Sequence, residues 1–228
     1  MPVAKFPDPS NASEDGLVAI GGDLHPQSLL LAYRSGIFPW PLSPAPDAEP
    51  PFNKQETIPL TWFSPAERGI LEFRDLKVNR SLERTLRKTE YRFTINQAFS
   101  KIISHCSGLR KREGTWITRE MLDAYKEFHR VGHAHSAEIW KEDRLVGGLY
   151  GVDADGAFAG ESMFHLEPNT SKLALYHLIE HLKARGLDWI DIQTLTPHME
   201  AMGAKIIPRD VFLEKLRQTR GRGLKLFP

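Results

Sequence analysis

Apolar and polar positions alternate with a period that changes several times along the chain, and most clearly after residue 90. Tyr91 to Ile95 is a short run with strand character. Two stretches of helical period follow, at about Asn96–Ser107 and Thr118–Val131. In the second, Met121, Tyr125 and Phe128 recur at the spacing that places them on one helix face. Three strand-like runs come next, Ser136–Trp140, Leu145–Val152 and Ala157–Phe164. The polar turns KEDR (Lys141–Arg144) and DADG (Asp153–Gly156) between them predict consecutive hairpins. Ser171–Arg185 then reads as an amphipathic helix with Leu175, Leu178, Ile179 and Leu182 on one face and Gly186 as its stop. Trp189–Leu195 is a further strand.

The order β-α-α-β-β-β-α-β predicts an α/β (α+β) domain. Eight of the sixteen prolines lie between Pro39 and Pro65, most densely from Pro41 to Pro51. Proline fixes φ and removes a donor, so this stretch predicts an irregular connection. The expected division is a small N-terminal unit, residues 1–62, ending in that connection, and a larger unit, residues 63–228.

At 228 residues, 41% hydrophobic and 26% charged, the chain has material for a packed core. Its net charge of +1 hides an uneven distribution. Residues 1–60 carry three Lys/Arg against seven Asp/Glu, whereas residues 68–88 carry seven against three. Within the latter, Arg80, Arg84, Arg87 and Lys88 follow i, i+4, i+7, i+8, a basic stripe with Leu82 and Leu86 turned inward. Such a stripe suits a nucleic-acid backbone. Cys106 is alone, which excludes a disulfide within the chain and favours a reducing compartment. There is no apolar run of signal-peptide or membrane-span length, and the expectation is a soluble, cytoplasmic protein with no membrane partner.

The element order resembles the GNAT acyltransferase fold, a mixed sheet with helices on both faces. In acetyltransferases of that fold a glycine-rich loop cradles the coenzyme A pyrophosphate. The matching stretch here, Phe164–Lys172 (FHLEPNTSK), has no glycine, which argues against a coenzyme A thioester as donor. Other motifs point elsewhere. GLVAIGGDL (Gly16–Leu24), LLAYRSGIFPW (Leu30–Trp40), WFSP (Trp62–Pro65), EGTWITR (Glu113–Arg119), GHAHSAEIW (Gly132–Trp140), GGLYGV (Gly147–Val152), GESMF (Gly160–Phe164), IDIQ (Ile190–Gln193) and MGA (Met202–Ala204) occur in order. Together they resemble the leucyl/phenylalanyl-tRNA–protein transferases. That resemblance implies transfer of Leu, Phe or Met from the 3′ end of an aminoacyl-tRNA to proteins with N-terminal Arg or Lys, creating a degradation signal, without metal or cofactor.

The residues allow this chemistry. The donor ester is already activated, and an α-amine with an ordinary pKa of roughly 7.7–8.0 is partly neutral at physiological pH. Asp191 and Gln193, two apart on one strand, share a face. The Gln carbonyl can accept from the amine while Asp191 binds the Gln amide N–H₂, and the resemblance implies that this pair is the proton relay. Glu161, between Ala159 and Met163 on one strand face, is a charge in an apolar segment that needs a partner or ligand. The resemblance puts it in the active site. It also implies a donor side-chain pocket from Leu149, Phe158, Gly160, Met163, Leu175, Leu178, Leu182 and Ile190, with Trp40 and Trp116 near the substrate adenosine and Arg119 beside the basic stripe on tRNA. Leu149 stands where the family's Met is familiar, and Leu178 and Leu182 replace aromatics.

Other patterns are set aside. His177 and Glu180-His181 spell H-x-x-E-H, but helical angle turns both histidines away from the apolar stripe, toward solvent, and no metal is expected. His133 and His135 lack a third ligand at a useful spacing. Two other functions compete: an N-acyltransferase using a small thioester, disfavoured by the empty pyrophosphate loop, and a non-catalytic adaptor for tRNA or N-terminal degradation signals, disfavoured by the retention of Glu161, Asp191 and Gln193 together.

Overall fold

The computed structural model of the chain describes residues 1–40, 59–88, 90–108 and 117–227. The proline-dense stretch Pro41–Pro51 and Trp116 lie outside them.

The N-terminal unit is built from β1 (Leu17–Ile20), α1 (Pro26–Arg34), β2 (Phe38–Pro39) and β3 (Thr61–Phe63). β3 is central, antiparallel to both β1 and β2, and spans residues 61–63, astride the expected division. Pro26 starts α1 at the position where its missing N–H costs nothing, and His25 caps it by accepting from the Gln27 N–H. Gly36, at φ +75°, ends the helix and turns the chain into β2. Trp62 is fully buried, edge-on to Phe6 with centroids 4.7 Å apart, and donates from Nε1 to the Gly21 carbonyl at 2.8 Å.

The larger unit runs through β4 (Glu67–Glu72), α2 (Arg80–Leu86), β5 (Tyr91–Ile95), α3 (Phe99–Gly108), α4 (Arg119–Arg130), β6 (Ala134–Lys141), β7 (Arg144–Asp153) and β8 (Phe158–His165). It closes with α5 (Thr170–Lys183), β9 (Trp189–Gln193), α6 (Pro197–Ala201), β10 (Lys205–Pro208) and α7 (Arg209–Gly221). From β5 to β9 the order is the one read from the sequence, and both turns make the expected hairpins. α3 begins later than its periodicity suggests, because Asn96 takes a left-handed conformation (φ +59°) after β5. β9 stops earlier, at Gln193, for the same reason (φ +56°).

Among the described residues the larger sheet has the order β10-β4-β9-β8-β7-β6-β5. Its neighbours are antiparallel except β8 and β9, which are parallel and meet at a single register, Ala159 opposite Asp191. Beyond that point the two strands part. One apolar cluster gathers Leu175, Leu178, Leu182, Trp189 and Phe212 around α5 and α7. The other joins Leu29, Tyr33 and Trp62 of the N-terminal unit to Ile102, Tyr125, Phe128 and Tyr150. The two units therefore share one core.

His177 and His181 do not face solvent as expected. His177 is stacked on Phe93 (centroids 4.9 Å apart), and His181 donates from or accepts at Nε2 against the Leu226 carbonyl, 2.9 Å away, beside Phe227. The C-terminal tail folds back over α5 and covers a face that helical angle alone leaves open. Among the described residues no group of three or more His, Cys, Asp or Glu side chains is placed to hold a metal ion.

Candidate active site

A cavity of about 380 Å³ opens where β8 and β9 part. Leu149, Phe158, Gly160, Met163, Leu175, Leu178 and Ile190 line it, together with Trp40, Glu161 and Gln193. Leu182 does not. It is fully buried in the core under α5, one turn too far along the helix to reach the cavity. The sequence reading missed Tyr150, Ser162, His165, Ser171, Ile192, Thr194, Thr196, His198 and Met199 on the same wall. Several of these follow β9, where the left-handed turn at Gln193 swings the chain around the cavity.

Trp40 reaches the cavity from the N-terminal unit. Its backbone is held on both sides by Thr61, whose carbonyl accepts the Trp40 N–H at 2.9 Å and whose hydroxyl donates to the Trp40 carbonyl.

Glu161 sits on a β-bulge. Tyr150 pairs with Ser162 and Gly151 with Gly160, which leaves Glu161 as the extra residue of β8. A bulge re-aims the side chain it carries and shifts the alternation that follows. Phe158 and Met163, an odd number apart, consequently both line the cavity, while Ala159 joins the opposite cluster. The expected common face of Ala159, Glu161 and Met163 is therefore not formed.

The Glu161 carboxylate is enclosed although the residue as a whole keeps some exposure. It accepts from the Gln193 amide Nε2 at 2.7 Å and from the Tyr125 hydroxyl at 3.4 Å. Tyr33 and Tyr125, both buried, are hydrogen-bonded to each other through their hydroxyls beside it. Burial and the Glu161 charge hold both phenols well above their ordinary pKa, so they remain donors. Burial pushes the Glu161 carboxyl up to about 7; the two tyrosine hydroxyls and Arg68 oppose that rise and the Asp191 charge adds to it.

Asp191 is placed differently from the expected relay. Its carboxylate does not touch the Gln193 amide. Both its oxygens are taken by Arg68, Nε to Oδ1 at 2.8 Å and Nη2 to Oδ2 at 2.7 Å, and Oδ1 also accepts the Gln193 backbone N–H at 2.9 Å. The reason is backbone conformation: with Gln193 left-handed, its side chain leaves the Asp191 face and meets Glu161 instead. Local pattern does not mark Arg68, Tyr33 or Tyr125: Arg68 is one of the basic residues of 68–88 and Tyr125 belongs to a helical stripe.

Arg80, Arg84, Arg87 and Lys88 are exposed, with Leu82 buried and Leu86 half-buried beneath them. None of the three arginines is in an ion pair among the described residues, whereas Lys88 meets Glu90 at 3.3 Å. α2 is tied to the start of α5 by Asn169, whose Nδ2 donates to Ser81 Oγ at 2.7 Å. The stripe thus stands at the end of α5 from which Ser171 and Leu175 line the cavity. Arg119 is exposed at the start of α4.

An apolar cavity lined by an enclosed carboxylate and an oriented amide, with buried phenol donors behind the carboxylate, is the equipment of a group-transfer enzyme. A family model described as leucyl/phenylalanyl-tRNA protein transferase matches residues 70–217, and one for the N-terminal domain of that protein matches residues 22–66. The leucyl/phenylalanyl-tRNA–protein transferase of Shewanella loihica is 45% identical over 221 residues, covering 96% of this chain and 88% of the relative. Those of an Anaeromyxobacter species (strain K) and Magnetococcus marinus are each 46% identical, covering 92% and 93% of this chain and 86% and 87% of their own. The chain belongs to the leucyl/phenylalanyl-tRNA–protein transferase family. A crystal structure of a functionally unknown conserved protein from Staphylococcus epidermidis aligns with 62% of the chain at 10% identity and a TM-score of 0.39, too distant to bear on the fold.

Proposed function

We propose that this protein transfers Leu, Phe or Met from the 3′ end of an aminoacyl-tRNA to the α-amine of proteins beginning with Arg or Lys, in the cytoplasm and without metal or cofactor. The observation that carries the reading is the apolar cavity with the Glu161–Gln193 pair in its wall. The donor side chain enters between Phe158, Met163, Leu175 and Leu178, and the adenosine rests by Trp40. With its N–H₂ committed to Glu161, Gln193 has its amide oxygen left to accept from the incoming amine. The amine attacks the ester carbonyl, the new C–N bond forms, the C–O bond to the ribose breaks, and the released hydroxyl takes up the amine proton. Glu161 as carboxylate balances the positive charge that develops on nitrogen. Asp191 serves by fixing the turn that presents Gln193. Arg80, Arg84, Arg87, Lys88 and Arg119 take the acceptor-stem phosphates. The GNAT-like architecture belongs to the same reading, supported by the parting of β8 and β9 around the cavity.

Labelled Leu- or Phe-tRNA mixed with an Arg-initiated peptide tests it. Label moves to the peptide, EDTA leaves the rate unchanged, and acetyl-coenzyme A is inert. Transfer from acetyl-coenzyme A alone refutes it.

A further inference from the structure

Arg68 is among the largest fully buried side chains described, 1% exposed, on a strand whose other buried residues are Gly69, Ile70 and Leu71. Its guanidinium lies between two rings, 4.7 Å from the centroid of Phe38 and 4.3 Å from that of Phe212. Its third donor, Nη1, reaches the Gly36 carbonyl at 3.2 Å. One side chain thus joins the turn after α1, the start of α7 and β9. The approach is close: a Cβ on Gly36 would meet Leu213 Cδ2 at 2.6 Å and Phe212 Cε1 at 2.9 Å.

A buried ion pair is weak support for stability, since apolar residues of the same volume commonly do as well. The Arg68–Asp191 pair has a different consequence. The Asp191 oxygen that takes Arg68 Nε also takes the Gln193 N–H, at the residue whose left-handed backbone turns its amide toward Glu161. A left-handed non-glycine residue is sterically disfavoured and persists when its surroundings hold it. The planar fork of Arg68 fixes the carboxylate in two directions, which a point charge does not.

We propose that Arg68, through Asp191, is the positioning residue that holds Gln193 and Glu161 in register with the donor ester, and that it ties this geometry to the seating of the N-terminal unit. The proposal rests on the aminoacyl-transfer reading for what the site acts on, and on geometry alone for the coupling. The charged and titratable groups facing Glu161 are Tyr33 from α1, Tyr125 from α4, Asp191 from β9 and Arg68 from β4. Loss of the Arg68 charge therefore leaves the Asp191 charge unopposed beside Glu161.

The experiment compares R68Q, R68K and the double variant R68Q/D191N with wild type. Its readouts are turnover of a minimal aminoacyl-adenosine donor with an Arg-initiated peptide, and the Glu161 titration followed by carbon NMR of labelled glutamate, assigned with E161Q. R68Q lowers kcat about a hundredfold with KM moved far less, and raises the Glu161 midpoint by roughly one unit or more. R68K keeps the charge and loses the fork, so the midpoint stays near wild type while kcat remains low. R68Q/D191N removes both charges; thermal stability and midpoint return toward wild type, and kcat does not. These last two variants carry the test if R68Q fails to fold. Recovery of kcat in the double variant overturns the proposal, as does a wild-type kcat in R68Q or R68K. An unchanged midpoint in folded R68Q overturns it as well. No transfer by wild type, with the Glu161 midpoint moving as described, sinks the aminoacyl-transfer reading and leaves the coupling standing.

Discussion

At the scale of single residues, the proposed chemistry turns on how Glu161 and Gln193 meet. Replacing Gln193 by Ala removes an acceptor used chiefly as the amine attacks, and kcat should fall by roughly a hundredfold or more while donor binding barely changes. Steady-state kinetics with separate tRNA-binding titrations check this; equal losses in both would make Gln193 a binding residue. Glu161, with its pKa pushed up to about 7 by burial, gives the pH dependence a definite sign. The carboxylate forms as pH rises through about 7, so turnover at saturating acceptor should drop below that pH, and E161Q should lose this limb. Stability moves in the opposite sense. A carboxyl whose folded pKa lies above its unfolded one favours the folded state below the unfolded pKa of 4.5, and that contribution is lost as pH rises through about 7. The Tm of E161Q relative to wild type should therefore increase between pH 4.5 and about 7 and then level off. A difference that shrinks over this range would show that burial does not govern Glu161.

At the scale of elements, α2 is a short helix whose stability comes from its Asn79 cap, whose Oδ1 accepts from the Leu82 N–H, and from Leu82 in the core. Its exposed side is left to Arg80, Arg84, Arg87 and Lys88. If these grip phosphates, each contact contributes roughly 0.7–0.9 to the slope of log affinity against log salt. Changing Arg84 and Arg87 to Ala should flatten that slope by about one to two units and weaken all tRNAs alike. Turnover of a minimal aminoacyl-adenosine donor should be spared. An unchanged slope would make the stripe ordinary solvated surface. The elements themselves were readable where periodicity was strong: α4, α5 and the three hairpin strands lie within a few residues of where their patterns put them. β4, β10, α6 and α7 were not, because short strands and a mostly polar helix leave little periodic signal.

At the scale of the whole molecule, the N-terminal unit does more than present Trp40. It supplies Tyr33 to Glu161, Gly36 and Phe38 to Arg68, and part of one core cluster. Arg34 reinforces the joint by pairing with Asp155 at 2.6 Å in the β7–β8 turn, which Arg220 of α7 also meets at 3.2 Å. Gly36→Ala tests this joint. The new Cβ is strained at φ +75° and collides with α7, so the folded state should lose about 1–3 kcal/mol and turnover should fall with it. Chemical denaturation and kinetics on the same sample check the pair. Wild-type turnover in a destabilised variant would mean that the seating of the N-terminal unit does not reach the site.

The sequence by itself determined the strand and helix order from Tyr91 to Gln193, the family, and about half of the residues that line the cavity, because hydrophobic period and ordered motifs are local properties of the chain. Its reading of Asp191 and Gln193 as neighbours in a relay assumed strict alternation along a strand. Only the tertiary structure decided otherwise. A bulge at Glu161 and a left-handed turn at Gln193 break alternation at the two positions the proposed chemistry uses, and such breaks depend on partners far away in sequence. The same holds for Leu182, whose place on an apolar stripe does not say whether it meets core or cavity, and for Arg68. Nothing local distinguishes a buried arginine from the exposed ones that follow it; its burial is set by Phe38, Phe212 and Asp191, which folding alone brings to one point.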